Sequence, residues 1–184
     1  MRILAFGASN TKNSINKALA RFTAELVPNA EIEVLDLNDY DLPIFSEDLE
    51  KEIGQPQAAK DFFEKIGSAE GVIVSFAEHN GSYSAAYKNL FDWASRIDQK
   101  VFQDKPTVYL ATSPGPGGAG SVLASAKGSA QFFGVDLKAA VSVANFYDVF
   151  DAETGRVTEP NALADLTIAA KALTQREVAE HDAS

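Results

Sequence analysis

Short runs of consecutive apolar residues alternate along the chain with longer segments whose apolar positions recur at helical spacing. Ile3 to Phe6 reads as a buried strand and Ile15 to Leu26 as a helix. Ile32 to Leu37 predicts a strand, Gln55 to Gly67 a helix, and Gly71 to Phe76 the clearest buried strand. Then come a helix over Ser84 to Ile97, a strand over Thr107 to Thr112 and a helix near Ser121 to Phe133. A strand near Val135 to Val143 and a helix from about Asn161 to Gln175 complete the series. Strands alternating with helices of this length argue for a parallel sheet covered on both faces. Strands that are apolar throughout agree with burial on both sides. The predicted fold class is α/β, a three-layer sandwich around a five-stranded parallel sheet.

The order 2-1-3-4-5 is the flavodoxin-like option for such a sheet, and alternation alone leaves it open. Three connections exceed what a bare turn needs: Asp36 to Gly54, Ala77 to Ser84 and Ala144 to Pro160. With 184 residues, 46% hydrophobic and 23% charged, the chain fits one soluble domain, expected over residues 1–176, with a frayed polar tail at 177–184.

A formal net charge of −10 works against binding to nucleic acid or to an anionic membrane. It also means that an anionic cofactor must be held by local dipoles and hydrogen bonds. Cysteine is absent, which excludes disulfides, thiolate nucleophiles and Cys-ligated metals. The apolar run at the N-terminus is too short for a signal-peptide core, so the expected location is cytoplasmic.

The first strand runs into Gly7-Ala8-Ser9-Asn10-Thr11-Lys12-Asn13-Ser14-Ile15-Asn16, where a helix begins. Ser9, Thr11 and Ser14 offer hydroxyls, and the free N–H groups of a helix start suit a phosphate dianion. Simple N-capping by Ser14 explains part of the same pattern. The loop lacks the Lys-Ser/Thr ending of a Walker loop and the acidic cluster of a phospho-acceptor domain.

At this loop, and more strongly at Ala77-Glu78-His79-Asn80-Gly81-Ser82 followed by Lys88-Asn89-Leu90-Phe91-Asp92-Trp93, the sequence resembles the NAD(P)H-dependent FMN reductase family. That family includes quinone, azo-dye and chromate reductases. Its motifs look like Gly-Ser-x-Arg-x-x-Ser-x-Asn, Pro-Glu-Tyr-Asn-Gly-Ser with Lys-Asn-x-x-Asp-Trp, and Ser-x-Gly-x-x-Gly-Gly. Ser113-Pro114-Gly115-Pro116-Gly117-Gly118 approximates the third. The resemblance implies that Ser9, Thr11, Ser14 and Asn16 hold the phosphate of FMN, with Ile15 counted in the same cofactor-binding loop. It implies that Glu78, His79, Asn80 and Gly81 border the isoalloxazine, and that Ser113 and Gly115 line its other side. It further implies NADH or NADPH as co-substrate, a small-molecule electron acceptor, and a homodimer or homotetramer. Thr11, His79 and Ala77 stand where the family pattern has Arg, Tyr and Pro.

Independently of family, Asn80-Gly81 reads as either a plain turn or a bend offering bare N–H groups to a flat ring. Gly115-Pro116-Gly117-Gly118-Ala119-Gly120 matches Gly-x-Gly-x-x-Gly formally. It follows the fourth strand instead of the first, so a wall beside a planar ligand is the preferred reading over a dinucleotide fingerprint. The helix at Ser84 to Ile97 carries more apolar residues than one core stripe requires, which suggests a subunit interface. Leu42-Pro43-Ile44-Phe45 is expected to join that interface over the partner's flavin, its alternative being a small cluster beneath a long loop. No nucleophile–base pair, carboxylate dyad or metal cluster stands out, so no catalytic side chain and no metal is assigned. The expected function is NAD(P)H-dependent flavin oxidoreduction. The alternatives are a flavodoxin-type electron carrier, a cofactor-free interaction domain, and a dehydrogenase that binds the dinucleotide alone.

Overall fold

The computed structural model describes residues 1–175; the tail expected at 177–184 lies outside the described residues. Strands β1 (Arg2–Ala8), β2 (Glu31–Leu35), β3 (Gly71–Phe76), β4 (Lys105–Thr112) and β5 (Val135–Val143) form one parallel sheet in the order β2-β1-β3-β4-β5. The order is the flavodoxin-like one.

Alternation along the central strands sends side chains to both faces. Ile3, Ala5, Ile73, Val108 and Leu110 pack with Leu19 of α1 (Ile15–Glu25). Leu4, Phe6, Val72, Val74 and Ala111 face the opposite layer. Two short helices complete the inventory ahead of the last one: α2 (Glu47–Ile53) precedes α3 (Gln57–Ser68), α4 (Ala85–Ala94) and α5 (Gly120–Ser129), and α6 (Phe146–Val149) precedes α7 (Pro160–Ala172). Helices α3, α4 and α5 bury Phe62, Leu90 and Val122 in the second layer, while α7 adds Leu166 and Ala170 to the first. Gly7 lets α1 lie directly on β1, since a Cβ there would stand 2.8 Å from Lys17 Cα and 2.9 Å from Asn16 C. Among the described residues no helix is long and apolar enough to cross a membrane.

Several boundaries differ from the predicted ones for local reasons. The second strand ends at Leu35, not Leu37, because the Asp36 carboxylate accepts from Asn38 N (2.9 Å) and caps a 3-10 turn over Leu37–Asp39. Helix α4 stops at Ala94, not Ile97. The helix expected to reach Phe133 breaks at Ala130 and continues as a 3-10 turn over Gln131–Phe133. Helix α2 lies inside a predicted long connection, capped by Ser46 Oγ on Leu49 N (3.1 Å); none of its residues is buried, so its apolar period is faint. The connection after β5 holds α6 and a small hairpin of β6 (Phe150–Asp151) and β7 (Arg156–Val157).

The apolar excess of α4 is used largely within the chain. Tyr87, Leu90, Trp93 and Ala94 are buried. Asn89 accepts from Phe45 N (2.9 Å) and donates to Pro43 O (3.0 Å), and Trp93 Nε1 donates to the same carbonyl (2.8 Å). The Phe45 ring stands edge-on to Trp93 with centroids 5.1 Å apart. Segment 42–45 is thus tied to α4 through its backbone and the Phe45 ring, and Ile44, 76% exposed, is the large apolar side chain it leaves to solvent.

Candidate functional site

Strand register builds the site. Ala8 pairs with Phe76, and Phe76 with Ala111, so β1, β3 and β4 end side by side. Their following loops therefore open onto one edge of the sheet, at the switch point where the chain turns to opposite sides of β1 and β3. Ser84 reinforces this convergence: its buried hydroxyl donates to Ala8 O (2.8 Å) while accepting from Tyr87 N (3.2 Å) at the start of α4.

In the first loop, Ser9 Oγ accepts from Thr11 N (3.1 Å) and Ser14 Oγ accepts from Lys17 N (3.1 Å). Each hydroxyl accepts from the backbone, and its own proton remains available as a donor. The N–H groups of Ile15 and Asn16, the first two helical residues, have no intrahelical acceptor. Thr11 and Lys12 are exposed. Lys17 is committed elsewhere: its ammonium meets the Asp36 carboxylate at 2.5 Å. That contact and the Asn38 N–H hold the Asp36 carboxyl down at about 2, below the ordinary 3.8.

The side-chain amide of Asn16 is bonded within the fold. Its side chain is 3% exposed and turned into the sheet, where Oδ1 accepts from Ser75 Oγ (2.7 Å) and Thr112 N (3.2 Å), and Nδ2 donates to Thr112 O (3.3 Å). With its amide so occupied, only its backbone N–H faces the loop. Its side chain ties α1 to the ends of β3 and β4.

The second loop is a tight hairpin turn. His79 N donates to Ser82 O (2.9 Å) and Ser82 N to His79 O (3.1 Å), with Asn80 at φ 52 and Gly81 at φ 77. These positive φ values at both central positions explain the Asn-Gly pair. The tip is exposed, as is His79. Glu78 behaves differently: its Oε2 accepts from Val122 N (2.9 Å), capping α5 from another loop. Ala119, at the N-cap position, makes no side-chain cap of its own. The carboxylate thus occupies the helix terminus where a pyrophosphate would bind, which physically disfavours the dinucleotide fingerprint.

The third loop is anchored through its backbone. Phe146 N donates to Ser113 O (3.1 Å), Asn145 N to Gly115 O (3.0 Å), and Ser142 Oγ to Gly118 O (2.7 Å). Gly118 sits at φ +56 with Ala144 N 3.2 Å from where its Cβ would be, whereas a Cβ on Gly115 or Gly117 would meet nothing within 4 Å. The first requires glycine; the other two leave open space.

A model of the NADPH-dependent FMN reductase family matches residues 1–148. The chain belongs to this family. An NADPH:quinone oxidoreductase of Arabidopsis thaliana is 36% identical over 125 residues, 66% of this chain and 62% of that protein. The chain thus spans less than two thirds of that relative's length. An NAD(P)H-dependent FMN reductase of Pseudomonas aeruginosa is 29% identical over 165 residues, covering 88% of this chain and 87% of the relative. Among solved structures, the flavoenzyme NAD(P)H:(acceptor) oxidoreductase FerB from Paracoccus denitrificans is 25% identical, with a TM-score of 0.76 over 94% of each chain.

The family motif Lys-Asn-x-x-Asp-Trp has a structural basis here. Asn89 and Trp93 clamp segment 42–45, and Lys88 pairs with Asp92 at 2.7 Å along α4. Ser9, Ser14, Asn80, Gly81, Ser113 and Gly115 all lie in the three loops that share the sheet edge. Sequence reasoning missed the residues that position those loops, namely Ser75, Ser84, Thr112 and Ser142. The available signal was a lone polar residue in an apolar run, as Ser75 is in Gly71–Phe76.

Proposed function

We propose that the chain is an NAD(P)H-dependent flavin oxidoreductase that holds FMN at the shared edge of β1, β3 and β4. The observation carrying this reading is the convergence of three complementary surfaces. Ser9 and Ser14 keep hydroxyl protons beside bare helix N–H groups, which suits a phosphate. The Asn80-Gly81 turn exposes backbone for the polar edge of a ring. Gly115 and Gly117 leave room that any side chain would fill.

Bound FMN supplies two-electron transfer, NAD(P)H being oxidised in one half-reaction and a quinone, free flavin, azo compound or metal oxyanion reduced in the other, a ping-pong sequence. The residues bind and orient. Glu78 holds α5 and the third loop in place, Asn16 holds α1 against β3 and β4, and His79 contributes its backbone to the turn. In this reading the protein acts in the cytoplasm as a homodimer or homotetramer, with Ile44 on the joining surface.

An absorption spectrum of the purified protein, with titration by riboflavin 5′-phosphate, tests the cradle. Anaerobic mixing with NADH or NADPH then tests the enzyme: the flavin absorbance near 450 nm is expected to bleach. A protein that binds FMN but stays yellow is an electron carrier, and one that takes up no flavin sinks the proposal.

A further inference from the structure

Beside α1 runs a groove of about 1060 Å³, large for a small-molecule site, where roughly 300–1,000 Å³ is usual. It begins at the phosphate end of the proposed cradle: Ser14 borders both, with Lys12 and Asn13 at the junction. Asn10, Thr11, Lys12 and Asn13 are exposed, so that end of the cradle opens outward and is not closed by packed side chains. The far side of the groove is α6 and the β6–β7 hairpin. Helix α6 is tied back to the cradle, since Phe146 N donates to Ser113 O (3.1 Å) in the third loop. Its aromatic residues form a braced platform. The Phe146 ring stacks on Phe150 at 4.6 Å, and Phe150 stands edge-on to Phe22 of α1 at 6.3 Å. Tyr147, edge-on to Phe146 at 5.6 Å, lines the groove and is 69% exposed, which leaves its ring open to a flat partner. Charge varies along the groove. Lys17 pairs with Asp36 and Arg21 with Glu25, so the stretch beside α1 is balanced, while Lys12 at the cradle end is the lining cation outside those pairs. Such a groove suits a ligand that is anionic where it leaves the cradle and uncharged and planar further on.

We infer that the chain accepts FAD as well as FMN, with the flavin half in the three-loop cradle and the adenosine in this groove. The second phosphate passes Lys12, and the adenine stacks on the Tyr147 ring, a contact that needs only the flat face of the base. FMN leaves the groove to water, so both flavins use the same cradle. The inference rests on the proposed cradle, because a flavin phosphate at Ser9 and Ser14 is what directs the rest of the dinucleotide toward Lys12.

Equilibrium dialysis of the purified protein against FMN or FAD, with the bound flavin separated by chromatography, tests this directly. The Kd for FAD is expected to lie within about tenfold of that for FMN. Tyr147→Ser is expected to weaken FAD about tenfold and to leave FMN within about twofold of the parent, which also shows that the variant folds. Tyr147→Phe, which keeps the ring, is expected to retain the parent's affinity for FAD. FAD weaker than FMN by more than about tenfold overturns the inference and leaves the FMN reading standing. Unchanged FAD affinity in Tyr147→Ser does the same, by leaving the adenosine without its platform. A protein that takes up neither flavin overturns the cradle and this inference together.

Discussion

Single residues at the site divide into those turned toward the sheet edge and those turned into the fold. Asn16 belongs to the second group. Asn16→Ala would leave Ser75 Oγ, Thr112 N and Thr112 O buried without this partner. Chemical denaturation should report a loss of about 3 kcal/mol, against a change within about 0.5 kcal/mol for a substitution at exposed Asn10. Asp36 offers a test by pH. Its carboxyl sits at about 2 in the folded chain against 3.8 ordinarily. The ion pair and cap therefore stabilise the fold fully above the ordinary value, and lose that effect as pH falls from 3.8 through about 2. With a third of the Asp36 side chain exposed, screening limits the effect to about 1 kcal/mol. Asp36→Asn should cost that much near neutrality in urea unfolding, and the gap from the parent should close at the acid end.

At the scale of elements, the loops act as a set because each is tied to a neighbour. Ser84 joins the second loop to β1, Glu78 joins it to α5, and Ser142 joins β5 to the third. Glu78→Gln keeps the shape of the side chain and removes the charge from the N-terminus of α5. It should lower stability by about 1 kcal/mol and weaken FMN binding in fluorescence-quenching titrations. Unchanged affinity would mean that the cap is not needed to hold the third loop against the ring. Helix α2 and the β6–β7 hairpin were invisible to periodicity for a shared reason. Both are short, and their ends are set by side-chain caps, Ser46 on Leu49 N and Asp151 on Glu153 N (2.9 Å).

For the whole molecule, the notable tension is a chain of net charge −10 proposed to bind a phosphate dianion. The cradle offers dipoles and hydroxyls, Lys17 is neutralised by Asp36, and Lys12 is the one cation of the loop exposed to solvent. Salt screens the global repulsion as effectively as it screens Lys12. Raising sodium chloride from about 20 to about 200 mM should therefore change the Kd for FMN by less than about threefold. A tenfold weakening in calorimetry would instead point to a cradle run by cations. At a hundredfold excess over its Kd, FMN should also stabilise the fold by about 2.7 kcal/mol, read as a rise in melting temperature.

Much of this protein follows from local pattern. Apolar runs marked the core strands, helical spacing marked the longer helices, and the three motif loops stood after the first, third and fourth strands. These are properties of neighbouring residues, so one-dimensional reading reaches them. The side-by-side ends of β1, β3 and β4, the inward turn of Asn16 and the capping of α5 by Glu78 came only from tertiary structure. They depend on contacts between residues 35 to 96 positions apart, whose pairing no local period encodes. The aromatic cluster of Phe76, Tyr87 and Tyr109 is of the same kind, since its rings meet only once β3, α4 and β4 have packed.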